Sequence, residues 1–179
     1  MALIPSPADA VSSSPVRLQD RRGDAAAPLD VLAVAITQTR KAVKVTVRVR
    51  DYVYIDTPAP LASAVGIHFD TKGTRRPDYL IRMEGFHFSA GSTSGWNRLR
   101  PNGLDPWGDW LHCPEGSKSK LISPRPKTNQ IVFRAPRACL GNPKSVRVAV
   151  QSYRPIGSKV RTDWVKGKKR YSKRLALVR

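Results

Sequence analysis

The chain has 179 residues, 40% of them hydrophobic, which suits a single domain with one core. Lys and Arg number 32 against 13 Asp and Glu, a net charge of +19. That balance draws polyanions such as nucleic acid, anionic lipid headgroups or acidic wall polymers, or else simply keeps a secreted protein soluble. The longest apolar run, residues 31–36, is far below the roughly 20 residues that a membrane-spanning helix needs.

Residues 1–28 mix Ser, Pro, Ala and both signs of charge without periodicity, and read as a disordered leader. Within it, residues 1–10 (MALIPSPADA) look like the tail of a signal peptide, with Leu3 and Ile4 closing an apolar region and Ala8-Asp9-Ala10 in the small-x-small form of a cleavage site. An extracellular or surface-associated protein is expected on that ground. The domain is expected from residue 29 to 179.

Residues 30–38 are apolar on both faces and read as a strand. In residues 41–50 (KAVKVTVRVR) Val43, Val45, Val47 and Val49 alternate with Lys44, Thr46, Arg48 and Arg50, the period of two of a half-buried strand. Residues 64–70 and 78–84 alternate likewise and flank a turn, so they read as a hairpin with residues 72–76 as its loop. One or two short strands are expected between residues 85 and 116. Residues 130–135 resume the alternation, residues 136–140 fit one helical turn stopped by Gly141, and residues 145–153 form another strand. Residues 168–178 would add an edge strand. Seven to nine short strands and no sustained helical period predict an all-β antiparallel sandwich.

Candidate sites follow from residue types. Asp70 and Asp78 bracket the hairpin loop and are weak calcium candidates, because Lys72, Thr74, Arg75 and Arg76 stand where further acidic ligands would be needed; their plainer role is to hold the turn. Trp96, Trp107 and Trp110 lie among Asp105, Asp109 and His112, and either form a platform for stacking sugar rings or fill the ends of the sandwich. Residues 166–174 (KGKKRYSKR), with Lys168, Lys169 and Arg170 at their centre, fit phosphate contacts with a stacking Tyr, or an edge strand whose cations discourage pairing. A basic patch is expected from this run beside Lys44, Arg48 and Arg50. Cys113 and Cys139 are too far apart for a redox pair and too few for zinc. Either they are two buried thiols, or a disulfide joins them across a loop of about 26 residues and stabilises by roughly 3 kcal/mol. No Ser-His-Asp order, HExxH, phosphate loop or GxSxG is present, so no enzyme and no cofactor is expected.

The strand from Val43 to Arg50 followed by Asp51, the Phe69-Asp70-Thr71 and Arg76-Pro77-Asp78-Tyr79 segments, and residues 135–141 before Val146-Arg147-Val148 together resemble secreted actinobacterial β-sandwich proteins. Those resemble DOMON domains and family 9 carbohydrate-binding modules in strand layout. The resemblance covers residues 30–164 and implies an extracellular sandwich, of a kind that mostly has no assigned function; with the absence of catalytic motifs, a secreted, non-catalytic binding module is expected. Its ligand would be a glycan or an anionic cell-wall polymer; the alternative is a nucleic-acid-binding protein using residues 166–174.

Overall fold

The third strand of the protein sets its architecture. In the computed structural model, β3 (Ala42–Val49) buries Val43, Val45, Val47 and Val49 completely and exposes Lys44 and Arg48. Fully burying a valine is worth about 1.5–3 kcal/mol. A one-residue slip of register would turn all four to water, at a cost on the order of 6–12 kcal/mol. The structure describes residues 15–21, 23, 30–51, 64–84, 94–98, 109–110, 121–156, 159–167 and 170–176.

Around β3 forms a five-stranded antiparallel sheet in the order β1-β2-β3-β9-β8, from β1 (Val16–Gln19), β2 (Val31–Gln38), β9 (Gln130–Pro136) and β8 (Ile122–Arg125). Proline is tolerated in β8 because that strand lies at the edge, where Pro124 forfeits no interior ladder bond. The second sheet runs β11-β10-β4-β5-β6-β7, from β4 (Ala64–Asp70), β5 (Tyr79–Glu84), β6 (Ser94–Arg98), β7 (Asp109–Trp110), β10 (Ser145–Ile156) and β11 (Lys159–Trp164). A two-residue strand, β12 (Leu175–Ala176), pairs with Ser145 and Val146 at the start of β10, while β11 pairs with its second half from Gln151 onward. The apolar faces of both sheets meet in one core, with Val45, Ile36 and Phe133 from the first and Ile67, Phe69, Ile81 and Val148 from the second. The all-β sandwich expected from the sequence is the observed fold.

Three details differ from that expectation. Val16–Gln19, assigned to the disordered leader, is strand β1, because Leu18 is buried against the core and the strand pairs with β2 from Val16↔Ile36 to Gln19↔Ala33. The rest of the expected leader lies outside the described residues, apart from Pro15, Asp20, Arg21 and Gly23. Among the described residues the strands number twelve, since β1, β8 and β11 were not expected. The basic run at 166–174 does not lie beside β3. That strand is flanked by β2 and β9, and the tail is taken up by the second sheet through β12.

The expected helical turn is a 3-10 turn, Ala138–Leu140, closed by Gly141 at φ 74. Its Cys139 is buried, 7% exposed, and Cys113 lies outside the described residues.

Candidate functional site

Register places every cation of the first sheet on its outward face. Arg17 of β1 lies opposite Ala35, which lies opposite Thr46, and Thr46 lies opposite Val132. One row over, Arg48 faces Gln130, which faces Arg125. One row the other way, Lys44 faces Arg134 directly. All five cations are exposed, and none of the five strands contains an aspartate or glutamate. The floor between them is small or hydroxyl-bearing: Ala33, Ala35, Thr37, Thr46 and Ser123, with Val132 only 8% exposed. Such burial on an outward face fits aliphatic stems of long cations lying along the sheet with their charged heads in water.

Like charges directly opposite one another destabilise a sheet. Edge strands carry cations to deter pairing with other chains, which accounts for Arg17 on β1 and Arg125 on β8. It does not account for Lys44, Arg48 and Arg134, which stand on the interior strands β3 and β9.

The outward face of the second sheet differs. Leu80, Ala149 and Asp70 are buried on it, and Arg82 is 6% exposed. Its described side chains form a mixed cluster. The His68 ring lies 5.0 Å from that of Trp164, His68 Nε2 is 3.0 Å from Gln151 Oε1, and the Arg82 guanidinium sits 5.9 Å over the Tyr153 ring. Gly66 lies between these rows, where a Cβ would come within 3.1 Å of Leu80 Cδ1. A side chain there would crowd Leu80 and lie in ordinary contact with His68 Nε2.

The hairpin loop shows what its carboxylates do. Asp70 Oδ1 accepts from the backbone N–H of Gly73 (2.6 Å) and Thr74 (3.2 Å), and its Oδ2 from that of Arg75 (3.0 Å). Asp78 Oδ2 accepts from the Thr71 N–H (2.8 Å), the Thr71 hydroxyl (2.9 Å) and the Lys72 N–H (3.2 Å). These bonds satisfy amides that the tight turn leaves without ladder partners, including those at the left-handed Gly73 and Arg75. Among the described residues no group of three His, Cys, Asp or Glu gathers as a metal cage.

The tail packs against this loop. The Ser172 N–H donates to the Val148 carbonyl (2.7 Å), and the Val148 N–H donates to the Ser172 hydroxyl (3.1 Å). The side-chain amide of Gln38 donates to the Ala176 carbonyl, tying the tail to β2. Burial, with the nearby Asp70 and Asp78 carboxylates, pushes the Tyr171 phenol above its ordinary value.

Of the other expected residues, Trp96 lies in β6 opposite Ile81, and Trp110 in β7 opposite Asn97; their side chains lie outside what the structure describes. Trp107, Lys168 and Lys169 are also outside it, and Arg170 is exposed. Arg50 is ion-paired to the buried Asp30 at 3.3 Å, and to Asp51 at 3.5 Å. Trp164 and Arg134 were not singled out in the sequence. Arg134 was marked only by its outward position between Phe133 and Ala135.

No family model, curated protein or solved structure matches the chain. Among the described residues the chain is an antiparallel β-sandwich whose first-sheet strands carry five exposed cations and no acid.

Proposed function

We propose that the protein is a non-catalytic binding module whose first sheet lays its outward face on an anionic polymer, of the phosphodiester kind found in cell walls. The observation that carries the reading is the Lys44↔Arg134 pair, two cations directly opposed on interior strands of a sheet whose five strands contain no aspartate or glutamate. A bound polyanion would turn that repulsion into attraction. The described side chains of this face include no aromatic ring, which disfavours stacking on a neutral sugar or on the bases of a single strand. A face five strands wide is also broader than the helix or two-stranded ribbon that a duplex major groove admits. Action outside the cell is part of the proposal, in keeping with the DOMON and carbohydrate-binding-module likeness. A Cys113–Cys139 bond would fit that setting by tying the buried turn at 138–140 to residues 111–120.

Binding to poly(glycerol phosphate) should weaken steeply with salt. If all five cations neutralise phosphates, log K should fall with log salt at a slope of about −3.5, or about a hundredfold from 50 to 200 mM. A flat response would overturn the reading. Tighter binding to a duplex DNA oligonucleotide at equal salt would replace the wall polymer with nucleic acid as the ligand.

A further inference from the structure

The hairpin loop and the tail gather a second group of cations on the other sheet. A side chain at Gly73, which has φ +79, would collide with the Arg174 guanidinium, so Arg174 lies directly over the loop backbone. Ser172 is bonded in both directions to Val148 of β10, and β12 follows at once, so the tail is fixed against the sheet as it passes the loop. Lys72, Arg75 and Arg76 of the loop and Lys173 and Arg174 of the tail are all exposed.

The two carboxylates of this region turn inward to the loop amides. Only Lys72 has a carboxylate partner, Asp78 at 3.6 Å; among the described residues Arg75, Arg76, Lys173 and Arg174 form no ion pair. Edge protection does not explain the loop cations, since β4 and β5 are interior strands of their sheet.

We infer that the loop at 72–76 and the tail at 173–174 form a second polyanion-binding surface, so that one molecule bridges two anionic chains. The inference rests on the proposed reading of the first-sheet face. Stacked sheets lie about 10 Å apart, and the cations of the first face point away from the second sheet. A chain lying flat across Lys44 and Arg134 would have to bend around the sandwich to reach Arg76 and Lys173 as well, and an oligomer too short to do so leaves the second surface to another chain. Two linked sites of modest affinity would hold a multivalent polymer far more strongly than either alone.

The test uses the full chain and short poly(glycerol phosphate) oligomers, half carrying a donor fluorophore and half an acceptor. Wild-type protein should bring donor and acceptor together, with a signal that rises and then falls as protein exceeds polymer. The pair Arg76→Glu with Lys173→Glu should abolish that transfer, and should weaken binding of a single oligomer by less than threefold. The pair Lys44→Glu with Arg134→Glu should also abolish transfer, while leaving residual, salt-sensitive binding. Light scattering should show both variants as folded and in the wild-type oligomeric state. Transfer that survives Arg76→Glu with Lys173→Glu would overturn the second surface, as would complete loss of binding in Lys44→Glu with Arg134→Glu. If the wild type binds one oligomer without transfer, only the bridging fails. If it binds none, the first-sheet reading fails with it.

Discussion

Replacing Lys44 by glutamate should make the protein more stable and a weaker binder at once. Lys44 faces Arg134 on one side and the neutral Thr37 on the other, so Arg134 is its only charged partner directly across either strand. A directly opposed pair contributes about 0.2–1 kcal/mol, favourable for opposite charges and unfavourable for like ones. The substitution removes the second and installs the first, a swing of about 1 kcal/mol. For a chain of this size that raises the melting temperature by about 2–4 °C. Any charge reversal also relieves general repulsion in a protein of +19, so the proper control is Lys144→Glu, an exposed lysine before β10 with the same change in net charge. Thermal melts at low salt should show the larger rise for Lys44→Glu, and Arg134→Glu should match it. Combining the two puts glutamate opposite glutamate and should cancel the gain, as a double-mutant cycle requires. Retention on poly(glycerol phosphate) should fall for Lys44→Glu and hardly at all for Lys144→Glu. Equal melting shifts for Lys44→Glu and the control Lys144→Glu would show that the opposed pair carries no cost and that no unrelieved repulsion favours a bound polyanion.

Asp70→Asn should lower stability by about 2–3 kcal/mol, because a carboxylate accepting three backbone N–H bonds is replaced by an amide that can accept at one oxygen only; chemical denaturation reads it, and an unchanged midpoint would contradict the turn-holding role. Tyr171 has a phenol pKa raised in the folded state above its ordinary value of 10.0, so the folded protein favours the neutral form. The stability it supplies is whole below pH 10 and is lost as pH rises through the higher folded value. Melts of Tyr171→Phe should accordingly decline less steeply above pH 10 than the wild type, and parallel declines would refute the assignment. Non-reducing peptide mapping should recover Cys113 and Cys139 in one linked fragment, and reduction should cost roughly 3 kcal/mol of stability; two free thiols would refute the pairing.

The elements legible in the sequence are those whose own side chains carry the pattern. β3 and β10 alternate valine with polar residues over enough positions to declare both a strand and its buried face. The β4–β5 hairpin was legible because acid, glycine and proline bracket its turn, and the turn at 138–140 because glycine follows it. β1 was hidden by length: four residues with one buried leucine look like part of a polar leader until β2 is there to pair with them. β8 was hidden by Pro124, which argues against a strand unless the strand is known to be an edge.

The cationic face was legible only in pieces, and the reason is topological. Alternation within β3 says that Lys44 and Arg48 point outward, and alternation within β9 says the same of Arg134. Nothing local says that these strands are neighbours, since they are separated by some eighty residues of chain and by the whole second-sheet hairpin. The same holds for His68 and Trp164, which meet only because β10 lies between β4 and β11. The densest cationic run, residues 166–174, drew attention because its charges are adjacent in sequence. Adjacency in sequence, however, spreads charges along a tail, whereas pairing across strands opposes them at about 5 Å with no freedom to separate at the backbone. Five dispersed cations on a sheet without one acid are therefore a more demanding arrangement than six in a row, and the one that a purely solubilising charge would have no physical reason to maintain.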